Sequence, residues 1–256
     1  MDSALSATPL AAAAIAADRV DIEVLDRELA RLPLAQRLLK AASLGRAVFT
    51  TSLGLEDQVL TAAIAEAGAD IAILTLETGR LFAETLALLE ETRARYGVVI
   101  EAVRPWREEV DGYVAQHGLN GFYESVEARH ACCDIRKMRP LARALSGADV
   151  WVTGLRRGQS ATRANAAFAE WDPVRQLVKI NPLADFDLES LEAQVRRDAV
   201  PVNPLHKRGY PSIGCQPCTR AIKPGEPERA GRWWWEDDQK RECGLHVASA
   251  SSQITN

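Results

Sequence analysis

Five cysteines are the residues of this sequence with the clearest capacity for chemistry. Cys132 and Cys133 are adjacent, Cys215 and Cys218 form a C-x-x-C motif, and Cys243 stands alone near the C-terminus. Thiolates bind iron–sulfur clusters or Zn²⁺, and a C-x-x-C motif lets two sulfur atoms reach one metal centre. The spacing therefore predicts one site built from four cysteines and leaves Cys243 free.

Three interpretations of the four paired cysteines are open from their spacing. Neighbouring side chains on a helix, such as Cys132 and Cys133, point about 100° apart. An iron–sulfur cluster accommodates that divergence better than one zinc ion does, because its iron atoms are separate, and we favour a cluster. The alternatives are a zinc site and a set of buried thiols without a metal.

Cys243 lies in the segment 241–246, which places a charged pair, a glycine and a histidine around it. A lone cysteine is most often inert packing. Its thiolate is nevertheless a strong nucleophile when nearby cations lower the pKa of the thiol. Cys243 is therefore our candidate catalytic residue.

Positive charge is concentrated locally in a chain whose formal net charge is −4. That net charge argues against a nucleic-acid partner held by bulk electrostatics. The basic side chains cluster beside the cysteines and at a predicted strand end, where they would bind a small polyanion and offset thiolate charge. They are Arg129, His130, Arg136, Lys137, Arg139, Arg156, Arg157, Arg163, His206, Lys207 and Arg208.

Strands and helices are predicted to alternate along most of the chain. This alternation is typical of an α/β fold with a mostly parallel sheet covered by helices on both faces, which binds ligands at the carboxyl ends of its strands. Short apolar runs predict strands at 46–52, 70–75, 98–103 and 149–153, and an edge strand at 178–183. Helices are predicted from about residue 55 and at 81–96, 106–117, 133–145 and 188–197.

The length of 256 residues allows one large core with appendages. We predict an N-terminal helical segment at 1–44, broken at Pro33, and an α/β nucleotide-binding core at 45–200. Composition shifts towards proline, glycine, cysteine and charge after residue 200. Residues 201–256 are therefore expected to form a cysteine-containing extension that folds over the sheet.

The apolar run at 10–17 lacks a basic flank and is too short to span a bilayer, so we expect neither export nor a membrane association. Paired cysteines in a reducing compartment are more often metal ligands or redox groups than structural disulfides. We therefore expect a cytoplasmic protein, and the sequence leaves homo-oligomer formation open.

Together these motifs resemble those of the bacterial adenylyl sulfate (APS) reductases, in the assimilatory sulfonucleotide reductase (PAPS/APS reductase) family. The resemblance runs from about residue 49 to residue 246, and it is most specific at the cysteines, the turn 76–81 and the segments 153–157 and 242–246. It implies an adenine-nucleotide α-hydrolase-like (Rossmann-like) fold. It also implies a [4Fe–4S] cluster held by Cys132, Cys133, Cys215 and Cys218.

The resemblance implies a set of substrate-binding residues as well. Ser52 and the Gly54 turn would line the pocket, and the turn that contains Leu76 and Gly79 would meet adenine through the Leu76 backbone. The phosphosulfate region would be served by Lys137, Arg156, Arg229, Arg232 and His246. Two positions depart from the family pattern, because Glu77 stands where aspartate is usual and Gly158 stands where glutamate is usual.

The chemistry of these residues fits the reaction that the resemblance implies. Adenylyl sulfate contains a mixed phosphate–sulfate anhydride, whose sulfur is an electrophile with AMP as its leaving group. Cys243 would attack this sulfur and become an S-sulfocysteine, with cations offsetting the charge on the leaving phosphate. Thioredoxin or a similar dithiol protein would then release sulfite.

Three alternatives are open. The first is the same reaction on 3′-phosphoadenylyl sulfate (PAPS), although in this family the cluster cysteines accompany the substrate without the 3′-phosphate. The second is an ATP-dependent tRNA-thiolating enzyme, whose phosphate loop is typically Ser-Gly-Gly-x-Asp-Ser where this chain has Ser-Leu-Gly-Leu-Glu-Asp at 52–57. The third is a metal-stabilised binding module in which Cys243 is dispensable.

Overall fold

A six-stranded sheet forms the centre of the computed structural model, which describes residues 20–160 and 163–236. The strands are β1 (Ala47–Thr51), β2 (Ile71–Leu76), β3 (Ile100–Val103), β4 (Val150–Val152), β5 (Ala169–Asp172) and β6 (Leu177–Ile180). Their order across the sheet is β3-β2-β1-β4-β6-β5. Neighbours are parallel except for β5, which pairs antiparallel with β6. This mostly parallel sheet confirms the predicted fold class.

Helices cover the sheet. They are α1 (Ile22–Arg31), α2 (Leu34–Ser43), α3 (Leu55–Ala67), α4 (Ala83–Tyr96), α5 (Arg107–His117), α6 (Val126–Cys133), α7 (Arg139–Ala144) and α8 (Leu188–Arg197). The first two flank Pro33, as the sequence predicted, and α8 has its predicted bounds. None of the helices in the described parts of the chain combines the length and the apolar composition needed to cross a membrane.

The alternation of side chains along the strands divides the core between the two faces. Phe49, Val150 and Val152 belong to a large core that also contains side chains from α1, α2, α3, α4 and α8. Val48 and Trp151, which alternate with them, pack on the opposite face with Leu141 and Leu145 from α7 and its C-terminal end. Successive strand residues point to opposite faces, so each strand contributes to both cores.

The helix predicted at 133–145 begins earlier than expected. It starts as α6 at Val126, because the Ser125 hydroxyl accepts a hydrogen bond from the Ala128 amide at 3.1 Å and caps the helix. A π-helical turn at Asp134–Met138 then joins α6 to α7. As a result, Cys132 and Cys133 lie at the C-terminal end of α6.

The prediction of an edge strand at 178–183 was wrong in its placement. β6 lies inside the sheet between β4 and β5, and the edge is formed by β5, which the sequence did not reveal. Asp26 holds this short strand, because the amides of Phe168 and Ala169 donate to its Oδ1 atom at 2.7 and 3.1 Å. A tertiary contact with α1 therefore fixes the edge.

Residues 201–236 return across the carboxyl side of the sheet. Their regular elements are 3₁₀ turns at Pro204–Arg208 and Gln216–Cys218 and a β-bridge between Thr219 and Arg232. Hydrogen bonds attach the segment to the core: Gln58 Nε2 donates to the Pro201 carbonyl at 2.8 Å, and Asn203 Nδ2 donates to Thr85 Oγ1 at 3.0 Å. The domain limits at residues 44 and 200 stay a prediction, and residues 1–19 and 237–256 lie outside the described residues.

Candidate active site

A cavity of about 210 Å³ lies at the carboxyl ends of β1, β2 and β4. Ser52 follows β1, Leu76 ends β2 and Gly154 follows β4, and all three line the cavity. β2 and β3 lie on one side of β1, and β4, which follows them in the chain, lies on the other side. The cavity therefore occupies the switch point at which open α/β sheets bind ligands.

The loop between β1 and α3 already holds a negative group. The Asp57 carboxylate accepts hydrogen bonds from the Ser52 amide at 2.5 Å and from the Ser52 hydroxyl at 2.7 Å. Burial raises the pKa of Asp57 to about 6, against the lowering effect of these two bonds. A side chain at Gly154 would overlap this carboxylate. The loop amide that could meet a ligand phosphate is thus satisfied by the chain itself.

Four cationic side chains from the part of the chain that the structure describes line the cavity: Lys137, Arg163, Arg229 and Arg232. Lys137 reaches it from the π-helical turn after the paired cysteines, and Arg232 reaches it from the bridged segment near the end of the described chain. Positive side chains at the edge of a parallel sheet favour an anionic ligand. The sequence prediction for Lys137, Arg229 and Arg232 is consistent with this placement.

Arg156 is placed differently from the other predicted phosphosulfate residues. It is 2% exposed and does not belong to the described cavity lining. Its Nε atom donates to Glu56 at 2.6 Å and its Nη2 atom donates to Glu228 at 3.1 Å. Burial raises the pKa of Glu228, the Arg156 charge lowers it and Glu56 raises it. Arg156 therefore ties α3 to the segment that carries Arg229.

Leu76, at the end of β2, and Gly79, in the turn that follows, differ in their relation to the cavity. Leu76 lines the cavity, whereas Gly79 lies outside the described lining and has φ of 72°. The Gly79 amide donates to Glu77 Oε1 at 2.7 Å, and the Arg104 Nε atom donates to Glu77 Oε2 at 2.9 Å. The left-handed backbone favours glycine here, which gives Gly79 a conformational role.

The four paired cysteines gather beside this cavity. Cys133, Cys215 and Cys218 are buried together with Phe122 and Trp233, and Cys132 packs against them. The Thr78 hydroxyl and the Cys215 thiol are 3.3 Å apart. Within residues 20–160 and 163–236, no three histidine, cysteine, aspartate or glutamate side chains are arranged to hold a single metal ion.

The protonation of these thiols follows from their burial. Burial raises the pKa of Cys132, and it raises the pKa of Cys218 to about 12, with a further increase from Cys215. Metal binding to such thiols would displace their protons. Arg136 donates to Cys132, and the charges of Arg136 and Lys137 lower the pKa of Cys132. The cations therefore favour the thiolate form that a metal requires.

Trp233 forms a shared wall between the cysteines and the cavity. Its side chain is fully buried, its Nε1 atom has no hydrogen-bond partner in the described structure, and its backbone adopts φ of 43°. A buried indole N–H normally has an acceptor. Trp233 packs directly with the cysteines, so the four thiols and this orphaned donor in one cluster are chemically compatible with a thiolate-rich group such as an iron–sulfur cluster.

A buried ion pair secures the end of the described chain to α6. Arg129 donates to both carboxylate oxygens of Glu236, at 3.0 and 2.7 Å, and the two side chains are 0% and 4% exposed. Arg129 also donates to the Cys133 side chain and lies 5.0 Å above the Trp233 ring. Glu236, the last residue that the structure describes, is therefore held beside the cysteines. Cys243 and His246 lie outside the described residues, and their roles stay predictions.

Several residues of the site had no assigned role in the sequence. Glu56 and Asp57 enter the sequence analysis only as part of the segment 52–57, and Arg163 only as one of the basic residues. Trp233 and Glu228 carry no local signal in the sequence. Proximity of the segments 52–57, 154–159 and 228–233 and of Arg163 in the fold brings these side chains together.

The mostly parallel sheet with its switch-point cavity places the protein in the class of α/β proteins whose ligand site lies at the carboxyl ends of the strands. Residues 46–221 match the model of the phosphoadenosine phosphosulfate reductase domain, and the chain belongs to that family. The chain is 64% identical to the adenosine 5′-phosphosulfate reductase of Sinorhizobium fredii (strain USDA 257), over 91% of this chain and 94% of that protein. It is 52% identical to the enzyme of the same name from Allochromatium vinosum, over 86% of this chain and 85% of that protein.

Solved structures show the same fold. The phosphoadenylyl-sulfate (PAPS) reductase of Candida auris, a phosphate complex, has a TM-score of 0.68 and 24% identity, covering 78% of this chain and 96% of that chain. Yeast FAD synthetase has a TM-score of 0.51 and 15% identity, covering 79% of this chain and 69% of that chain.

Proposed function

We propose that the protein is an adenylyl-sulfate reductase, which converts adenylyl sulfate to sulfite and AMP in sulfate assimilation and cysteine biosynthesis. The observation that carries the proposal is the cavity at the strand ends, lined by cations and walled by the cysteine group. Relatives that are 50–64% identical over at least 83% of this chain and carry the adenosine 5′-phosphosulfate reductase name support it.

The charges of the cavity suit this substrate. Adenylyl sulfate carries negative charge on both groups of its mixed anhydride. Lys137, Arg229 and Arg232 would bind these groups and stabilise the charge that develops on the leaving phosphate oxygen. Leu76 at the end of β2, with Ser52 and Gly54 after β1, would line the part of the cavity that receives the nucleotide.

Cys243 would carry the covalent step. Its thiolate attacks the sulfur of adenylyl sulfate, a sulfur–sulfur bond forms, and the sulfur–oxygen bond breaks with its electron pair leaving on AMP. A thiolate of reduced thioredoxin, or of a similar dithiol protein, then attacks the Cys243 sulfur. Sulfite departs with the electron pair, and the second thiol of the partner releases Cys243 as the partner becomes a disulfide. His246 would support the phosphosulfate end.

The four cysteines would hold a [4Fe–4S] cluster. When bound, the cluster would order the segments that carry its ligands and add negative charge beside the cavity. Arg129 and Arg136, which donate to Cys133 and Cys132, would offset that charge, and Trp233 would gain an acceptor for its indole N–H. Reduced thiols and a dithiol partner imply a reducing compartment such as the cytoplasm.

Adenylyl sulfate, and not its 3′-phosphorylated form, is the proposed substrate because relatives that are 52–64% identical to this chain are named adenosine 5′-phosphosulfate reductase. The Asp57 contacts with Ser52 also occupy the loop that would bind the phosphates of ATP in a thiolating enzyme.

An intact-mass spectrum tests the reaction. Anaerobically purified protein, with its iron content measured, is mixed with adenylyl sulfate in the absence of reductant, beside Cys243→Ser. We expect the wild type to gain one SO₃ group and release one AMP, and the variant to do neither. If iron-containing wild type gained no adduct, the mechanism would be wrong. Adduct formation from 3′-phosphoadenylyl sulfate alone would instead reassign the substrate.

A further inference from the structure

An aromatic patch covers the outer side of the cysteine group. It consists of Tyr123, Trp234 and Trp235, whose ring centroids are 4.5 to 6.3 Å apart. Tyr123 is 42% exposed and Trp234 is 36% exposed. Exposed tyrosine and tryptophan side chains in one patch are enriched at protein–protein contacts.

The patch is fixed to the core below it. The Tyr123 hydroxyl donates to the Pro217 carbonyl at 2.5 Å, inside the C-x-x-C segment. The Tyr123 ring lies 4.6 Å from the buried Phe122 ring. Glu236, the residue after Trp235, is held by Arg129. The patch is therefore presented as a preformed surface.

The position of the patch along the chain limits its distance from Cys243. Cys243 follows Glu236 by seven residues. A chain spans at most about 3.3–3.6 Å per residue, so the seven residues allow the Cys243 Cα atom to lie at most about 25 Å from the Cα atom of Glu236, the residue after the patch. Any protein that attacks the Cys243 sulfur must approach within this radius.

We propose that the aromatic patch docks the reduced dithiol protein that regenerates Cys243. This inference rests on the proposed function. The partner is a small protein whose two thiols are surrounded by an apolar rim. Contact with the patch holds one partner thiolate near Cys243 while a disulfide forms and sulfite leaves with the electron pair of the sulfur–sulfur bond. The second partner thiol then frees Cys243, and the partner leaves as a disulfide.

The small size of the patch favours a transient partner over a stable dimer of this chain. An aromatic side chain buries about 150–250 Å², so the exposed fractions of Tyr123 and Trp234 offer on the order of 150 Å². A stable dimer requires about 800 Å² per partner, whereas transient redox encounters use smaller areas. A small exposed aromatic anchor matches a partner that binds, reacts and leaves.

Trp234→Ala tests the docking surface with a matched control. The assay measures kcat and KM for a reduced bacterial thioredoxin at saturating adenylyl sulfate. We expect Trp234→Ala to raise the KM for thioredoxin by roughly 10-fold or more, as an interface anchor would. Trp106→Ala is the control. Trp106 is 57% exposed and lies at the N-terminal end of α5, whereas Tyr123 of the patch follows the C-terminal end of that helix, so this variant should leave the KM for thioredoxin unchanged.

Two further measurements separate docking from catalysis. The rate of SO₃ adduct formation on Cys243 without reductant, and the release of sulfite by dithiothreitol, should be the same in Trp234→Ala and wild type. An unchanged KM for thioredoxin would overturn the inference, as would an equal slowing of every step. A change in the molar mass of Trp234→Ala in light scattering would assign the patch to contacts between copies of this chain. Absence of the adduct in wild type would refute the proposed function and the inference together.

Discussion

The ion pair between Arg129 and Glu236 gives a prediction whose size follows from burial. Replacing Glu236 with leucine leaves the Arg129 guanidinium buried beside Cys133 and Trp233 without its carboxylate partner. Breaking a fully buried pair from one side typically costs about 3–5 kcal/mol. In a chain of this size each kcal/mol lowers the unfolding midpoint by about 2–4 °C, so Glu236→Leu should lower it by about 6–20 °C.

The double variant Arg129→Met/Glu236→Leu separates lost attraction from stranded charge. Replacing both members of a buried pair with apolar residues is often neutral or stabilising, so the double variant should recover most of the stability lost in Glu236→Leu. Asp111→Asn provides the control, since it removes an ion pair with Arg107 whose side chains are 66% and 88% exposed. Exposed pairs contribute little, and this variant should unfold like wild type.

The assay is thermal unfolding followed by circular dichroism under anaerobic conditions, with iron measured in each preparation. Matched iron content ensures that the comparison concerns the protein and not cluster loss. A change of under about 1 kcal/mol in Glu236→Leu would refute the reasoning. A double variant as unstable as Glu236→Leu would also refute it, because packing and not unpaired charge would then explain the loss.

Two further predictions concern the cavity. The pKa of Asp57 is raised from 3.8 to about 6 in the folded protein. The contribution of Asp57 to the free energy of unfolding is therefore full below pH 3.8, where the group is protonated, and is lost as the pH rises through 6. Between pH 4 and pH 8, the free energy of unfolding of Asp57→Asn should therefore rise by up to about 3 kcal/mol relative to that of wild type, as measured by urea unfolding. A difference between the two proteins that stays constant across this pH range would contradict the prediction. A Cβ atom at Gly214 would overlap the Arg232 guanidinium, which is the far end of a flexible side chain. Because that side chain can move, Gly214→Ala should change the unfolding midpoint little. Displacement of the guanidinium should raise the KM for adenylyl sulfate roughly 10- to 100-fold. Gly112→Ala, where a Cβ meets no atom within 4 Å, is the control, and equal KM values in the two variants would count against a substrate role for Arg232.

The structure gives Arg156 contacts that the sequence did not predict. Its sequence context resembles that of a phosphosulfate-binding residue, but in the fold Glu56 and Glu228 already accept its hydrogen bonds. Two carboxylates around one buried guanidinium hold the segment of Arg229 against α3. Through these bonds Arg156 holds the segment that carries Arg229 in place, and its contact with the phosphosulfate stays a prediction.

The sequence by itself determined the fold class, and it predicted which cysteines would react or bind a metal. Apolar runs with period 2 and period 3.6 predict alternating strands and helices because side-chain direction depends on local backbone geometry. The C-x-x-C motif and the adjacent cysteines are likewise local patterns, and they predict one metal site without knowledge of the fold. Helix α8 could be placed at 188–197 for the same reason.

Only the tertiary structure decided the features that depend on distant contacts. The edge strand β5 has little apolar pattern of its own and is held by Asp26, more than 140 positions earlier in the chain. The wall formed by Trp233 and the pairing of Arg129 with Glu236, 107 positions apart, arise when residues 201–236 return over the sheet. Such pairings are long-range, because burial and charge compensation are set by which segments meet and not by the residues adjacent in sequence.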